Sequence, residues 1–247
     1  WNLFFLYNLK KLLSKYNFSK VFDLQNSNRT KFYRKFILKN IEWSSSETTL
    51  MPGEKKKDFD NHPVLDRMEQ QLKKSQIPTK YIKNIDLSWA NQDISKLAKQ
   101  YTNRDYILIF PFSSKKNKNK RWPFFKELIS RIRREYKNNY SIFIVPGPEE
   151  FDEAKAFNAS VITDNGESVN IKTLISLIQK AKFIVANDTG PAHIASHLNK
   201  KGLVLFGKHI SAKKVSIENS NFKVLSVENL NSLKVETVLE AVKKNLN

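Results

Sequence analysis

The second half of this chain alternates runs that are apolar at nearly every position with amphipathic helical stretches. The pattern admits few folds. Residues 106–112, 140–145, 160–163, 181–186 and 202–206 read as strands. Between them lie helical segments at 123–136, 149–157, 171–180 and 191–198, with a last one at about 234–246. A strand with one wet face would alternate apolar and polar residues; continuous apolar runs must be covered on both faces. A helix between each pair of strands makes successive strands parallel. The expected fold is therefore a doubly wound, Rossmann-like α/β domain whose ligands lie at the carboxyl ends of the strands.

The first hundred residues carry a weaker signal. A helix over 3–16, one strand over 20–24 and a basic helix near 30–38 precede a polar stretch, 44–60, that reads as an exposed loop containing Met51-Pro52-Gly53 and Lys55-Lys56-Lys57. One strand cannot make a covered parallel sheet, and the chain begins at Trp1. The expectation is an amino-terminal domain, 1–98, that is incomplete because its opening βα units lie upstream, followed by a complete domain, 99–247. No internal repeat is evident.

Charge narrows the partners. The 247 residues include 43 Lys and Arg against 24 Asp and Glu, a net +19, which suits nucleic acid, an anionic membrane surface or a phosphorylated substrate. The lysines are scattered, so many of them simply solvate helix faces. Specific nucleic-acid recognition rests on charge alone: there is no zinc-finger spacing, RNP-like aromatic motif or arginine-rich arm. It is kept as the alternative function. With no cysteine, disulfides and thiolate metal sites are excluded. Of His62, His193, His197 and His209, the pair His193 and His197 has helical i, i+4 spacing but lacks the glutamate of an HExxH zinc motif. No stretch approaches the ~20 apolar residues of a membrane span.

Three turns at the carboxyl ends of the expected strands carry chemistry. Asp188-Thr189-Gly190-Pro191-Ala192-His193 joins a strand to a helix. Pro191 suits a first helical position, Gly190 permits a tight turn and close approach to a ligand, and the free amides of the first turn favour a phosphate or diphosphate. Thr189 adds a hydroxyl, Asp188 a carboxylate and His193 an imidazole. Ser113-Ser114 and the run from Lys115 to Arg121, ahead of Trp122-Pro123, form a second anion-binding candidate, with a lysine of the run to neutralise charge on a leaving group, or else a solvated surface loop. Pro146-Gly147-Pro148-Glu149-Glu150 turns into a helix whose carboxylates can accept from sugar hydroxyls or act as ordinary first-turn acids. Neither GxxxxGK[ST] nor GxGxxG occurs, which disfavours P-loop and dinucleotide chemistry.

The order and spacing of Ser113-Ser114, Lys120-Arg121-Trp122-Pro123, Gly147-Pro148-Glu149, Asn187 to His193 and Leu205-Phe206-Gly207 resemble glycosyltransferase family 9, the ADP-heptose:lipopolysaccharide heptosyltransferases. Asp23-Leu24-Gln25 is similar to a segment of that family's amino-terminal domain. The resemblance implies a GT-B type α/β architecture of two Rossmann-like domains facing across a cleft, the carboxyl-terminal one binding a nucleotide-diphosphate sugar. It implies diphosphate contacts from Ser113, Ser114 and Lys120, a diphosphate and sugar cradle from Asp188, Thr189, Gly190 and His193, ribose contact from Glu149, and the base near 169–171. It further implies inverting transfer to an anionic glycolipid acceptor at the cytoplasmic face of the inner membrane, with peripheral membrane association and without cofactor or metal. The family's catalytic aspartate sits in a Gly-Asp motif, and this sequence has no Gly-Asp. The general base is therefore expected upstream, and a non-catalytic relative is the further alternative. Where relatives continue Phe-Gly-Pro-Thr, this chain has Phe206-Gly207-Lys208-His209, a more basic loop.

Overall fold

The computed structural model describes residues 2–137, 139–208 and 211–246; Trp1, His209 and the side chain of Lys115 lie outside the described residues. The chain forms two compact units, residues 1–83 and 84–247.

The first unit runs α1 (Leu3–Leu13), β1 (Lys20–Phe22), α2 (Asn28–Phe36), β2 (Glu42–Ser44), α3 (Ser46–Thr49), α4 (Lys56–Phe59) and α5 (Val64–Lys74). β1 and β2 pair in parallel, with Val21 opposite Trp43. The second strand is not apparent in the sequence because it is three residues long and ends in serine.

The stretch 44–60, expected to be an exposed loop, instead holds two short helices and a buried polar cluster. Ser44, Ser45, Ser46 and Thr49 are all buried. Their polar groups are satisfied locally: Ser46 N–H donates to Asn26 Oδ1 at 2.6 Å, and Thr49 Oγ1 donates to Ser45 O at 2.7 Å. Gln71 Nε2 on α5 donates to Ser44 O and Asp23 O at 2.9 and 3.0 Å. Hydroxyls paired in this way are buried without the usual cost, so their polarity is a poor guide to exposure.

The second unit runs α6 (Ser95–Tyr101), β3 (Tyr106–Phe110), α7 (Phe125–Glu135), β4 (Ser141–Ile144), α8 (Phe151–Lys155), β5 (Ser160–Val161), α9 (Ile171–Lys180), β6 (Phe183–Asn187), α10 (Gly190–His197), β7 (Gly202–Phe206), α11 (Ala212–Val215), β8 (Phe222–Ser226) and α12 (Val235–Leu246). The six strands form one parallel sheet ordered β5-β4-β3-β6-β7-β8. Both faces are covered. Ile107 and Ile109 pack with α7 and α12, while Tyr106, Leu108 and Phe110 pack with α9 and α10. The continuous apolar runs are explained by this two-sided burial. Residues 84–98, grouped by sequence with the amino-terminal part, pack on this unit: Ile94 is buried in its core, and Gln92 N–H donates to Ser176 Oγ on α9 at 2.8 Å. The edge strand β8 adds to the expected set.

The strand order reverses between β3 and β6, whose following helices cover opposite faces. Such a switch point leaves a crevice at the carboxyl edge where no helix fills the space.

Candidate functional site

The crevice is occupied by a cavity of about 650 Å³. The loop after β3 contributes Ser113, Ser114, Asn117 and Lys120; the turn after β6 contributes Asp188, Thr189, Gly190 and Pro191. On the β4 side, Val145, Pro146, Gly147, Pro148 and Glu150 meet Ser168, Val169 and Leu174. The wall is therefore mostly apolar on the β4 side and mostly polar on the β6 side. Six of the eight site residues expected from sequence share this cavity: Ser113, Ser114, Lys120, Asp188, Thr189 and Gly190. Glu149 and His193 do not line it.

The turn after β6 is built by Asn187, which is fully buried. Its Oδ1 accepts from Trp122 N–H at 3.1 Å and its Nδ2 donates to Pro111 O at 2.7 Å, so one amide fixes both ends of the β3 loop against β6. Thr189 is the N-cap of α10, with extended backbone angles φ −145° and ψ 165°, and Pro191 occupies the first turn. In a helix of this geometry the amides of Gly190 and Ala192 have no intrahelical acceptor. Gly190 does not have positive φ, so the turn itself does not demand glycine. A Cβ built on it meets nothing within 4 Å. The glycine leaves room in front of the free amides.

Asp188 is buried, with its side chain 4% exposed, beside this positive helix end. Its Oδ2 accepts from Lys120 Nζ at 2.6 Å, and His193 Nε2 lies 3.4 Å from Oδ1. A bare carboxylate here would repel an anion; the ammonium offsets its charge and keeps the helix end available to phosphate. One turn further along α10, burial holds the His197 imidazole below its ordinary pKa, and neighbouring His193 adds to the effect.

The two serines differ. Ser113 Oγ donates to Asn117 O at 2.8 Å and accepts from Arg121 Nε at 3.3 Å, so its proton is committed to the loop. Ser114 Oγ accepts from Asn117 Nδ2 at 2.9 Å, which leaves its proton for a ligand. On the opposite wall, Glu150 Oε2 accepts from Gly147 N–H at 2.8 Å and the carboxylate lines the cavity, whereas Glu149 is exposed. Two adjacent acids just ahead of a helix cannot be told apart from sequence. Asn117, Arg121 and Glu150 are thus residues that the sequence showed only as members of longer runs, without individual roles. Arg121 was hidden in a lysine-rich run, where charge conceals geometry.

The family model for glycosyltransferase family 9 (heptosyltransferase) matches residues 6–243. No curated protein sequence matches the chain. Among solved structures, E. coli heptosyltransferase WaaC with ADP superposes with a TM-score of 0.65 at 15% identity, covering 97% of this chain and 77% of that one. E. coli ADP-heptose lps heptosyltransferase II gives a TM-score of 0.66 at 18% identity, covering 98% and 80%. The UDP-GlcNAc 2-epimerase of Methanocaldococcus jannaschii, in complex with UDP-GlcNAc and UDP, gives 0.59 at 16% identity, covering 98% and 73%. At these identities the likeness establishes the shared GT-B type fold. No helix among the described residues is long and apolar enough to cross a membrane.

Proposed function

The chain belongs to glycosyltransferase family 9, and from that premise we propose that its carboxyl-terminal unit binds a nucleoside-diphosphate sugar, ADP-heptose, for inverting transfer to a lipopolysaccharide core or related anionic glycolipid. The observation that carries this reading is the division of the cavity wall. An apolar side at Val145, Val169 and Leu174 faces a side formed by Ser114, Lys120, Gly190 and the start of α10. A nucleoside diphosphate has the same two-ended character.

In the proposed pose the base lies against Val169 and Leu174, and Glu150 accepts from the ribose hydroxyls. The diphosphate rests on the amides of Gly190 and Ala192 and on Ser114 Oγ. Lys120 stands between Asp188 and the diphosphate. As the bond from the anomeric carbon to the diphosphate oxygen breaks, negative charge grows on that oxygen, and Lys120 with the α10 dipole stabilises it where a metal ion would otherwise serve. Thr189 and His193 stand on the sugar side of the cradle. The acceptor-activating base is assigned to no residue of this chain, which has no Gly-Asp dipeptide. The net charge of +19 suits an anionic donor, an anionic glycolipid and peripheral attachment to an anionic membrane.

The test is thermal unfolding of the protein with and without ADP. ADP raises the melting temperature of the wild type, and Lys120→Ala removes most of that shift. Absence of a shift in the wild type would sink the donor-binding reading. Tight, salt-steep oligonucleotide binding that ignores Lys120→Ala would replace it with nucleic-acid binding.

A further inference from the structure

We propose that Arg121 and Glu153 form a strap that positions the phosphate-reading loop, 113–120, against the nucleoside side of the cavity; this rests on the donor-binding reading above. The loop is a 3-10 segment, Lys115–Lys120, broken at Asn117. It has little core of its own. Its two ends are brought together by one side chain. Arg121 Nη2 donates to Ser113 O at 2.7 Å and Nε donates to Ser113 Oγ at 3.3 Å, closing the loop across its base. Arg121 Nη1 donates to both Glu153 oxygens, at 2.9 and 2.8 Å. The guanidinium lies over the buried Phe112 ring, 5.6 Å from its centroid.

Glu153 belongs to α8, the helix that begins immediately after Glu150. The guanidinium thus ties Lys120, its chain neighbour in the loop, to the element that carries the ribose-facing carboxylate. An exposed ion pair by itself contributes little. Here the Arg121 side chain is only 18% exposed and makes two further hydrogen bonds and a ring contact, so its planar fork fixes a geometry that lysine cannot reproduce. The strap touches no ligand. It acts by holding the Lys120 ammonium and the Ser114 hydroxyl at the spacing a diphosphate needs, which makes Arg121 and Glu153 positioning residues.

A positioning role has a signature that a merely structural one lacks. The loop bears on phosphates and not on the base, so loosening it costs ADP more affinity than AMP. Titration calorimetry of wild type, Arg121→Lys and Glu153→Gln with ADP and with AMP reads this directly. In Arg121→Lys the ADP-over-AMP affinity ratio falls about tenfold, the worth of one charge-assisted hydrogen bond. Glu153→Gln, at an exposed position that cannot endanger folding, moves the ratio in the same direction by a smaller factor. Equal losses for both nucleotides, or an unchanged ratio in both variants, would overturn the proposal. A wild type that binds ADP while the variants keep its ratio refutes the strap alone; a wild type that binds no ADP refutes the donor site beneath it.

Discussion

Gly190→Ala separates what the fold needs from what a ligand needs. Without positive φ at this position, alanine can adopt the same backbone, and its Cβ meets no atom within 4 Å. Alanine also loses less conformational entropy on folding than glycine. The ligand-free protein should therefore be unchanged or more stable by about 0.5 kcal/mol, which for a unit of this size raises the melting temperature by about 1–2 °C. Binding should respond in the opposite sense. The Cβ occupies the space in front of the Gly190 and Ala192 amides and holds a phosphate out of reach. Charge-assisted hydrogen bonds are worth about 1.5–3 kcal/mol each, so losing one weakens ADP by about 10- to 100-fold. Paired thermal scans with and without ADP measure both quantities on one sample. Two results would refute the reasoning: a large loss of ligand-free stability, which would mean that the turn needs glycine, or undiminished ADP binding, which would mean that the space is not used.

Three further outcomes follow from the same geometry. Lys120→Met removes the ammonium that pairs with the buried Asp188 carboxylate, whose other oxygen keeps His193 nearby, and should destabilise the protein by about 1–3 kcal/mol in urea unfolding; adding Asp188→Asn should restore most of that stability while ADP binding stays lost, and a double variant no more stable than Lys120→Met would contradict the pairing. Because burial holds His197 below its ordinary value of 6.5, the unfolded chain binds more protons than the folded one just below that pH. Stability should then decline as pH falls below 6.5 and level off once the folded imidazole is also protonated. His197→Gln should remove that part of the slope, as read by unfolding midpoints across pH 5–7. Gly202→Ala places a Cβ 2.5 Å from the Phe222 ring and 2.8 Å from Ile184 O, where β7 joins its neighbours. It should cost about 3 kcal/mol of stability, and an unfolding midpoint equal to wild type would show that β7 and β8 can separate without penalty.

The carboxyl-terminal sheet was legible because two-sided burial leaves its mark in local sequence. Runs such as Ile107-Leu108-Ile109 and Ile184-Val185-Ala186 must be covered on both faces, and α9 and β7 begin and end where their periodicity and flanking residues place them. The Asp188 to His193 turn was legible for a related reason: proline and glycine at a strand-to-helix junction have local meanings. β2 and β8 were not legible. Their few residues gain strand character from a partner strand and helix cover, not from their own pattern. The buried serines after β2 were misread because hydrogen bonding, which sequence does not display, decides whether a hydroxyl is wet.

Sequence by itself determined that three turns would meet at one edge of a parallel sheet, since strand direction and helix placement follow from local composition. The tertiary structure decided which atoms of those turns are available. It committed the Ser113 proton to Asn117 O while leaving that of Ser114, brought Glu150 rather than Glu149 to the cavity, set Lys120 on Asp188, and placed Arg121 across the base of the loop. These choices depend on distances of a few tenths of an ångström between segments far apart in the chain. Only packing, which arbitrates among many locally equivalent side chains at once, resolves them.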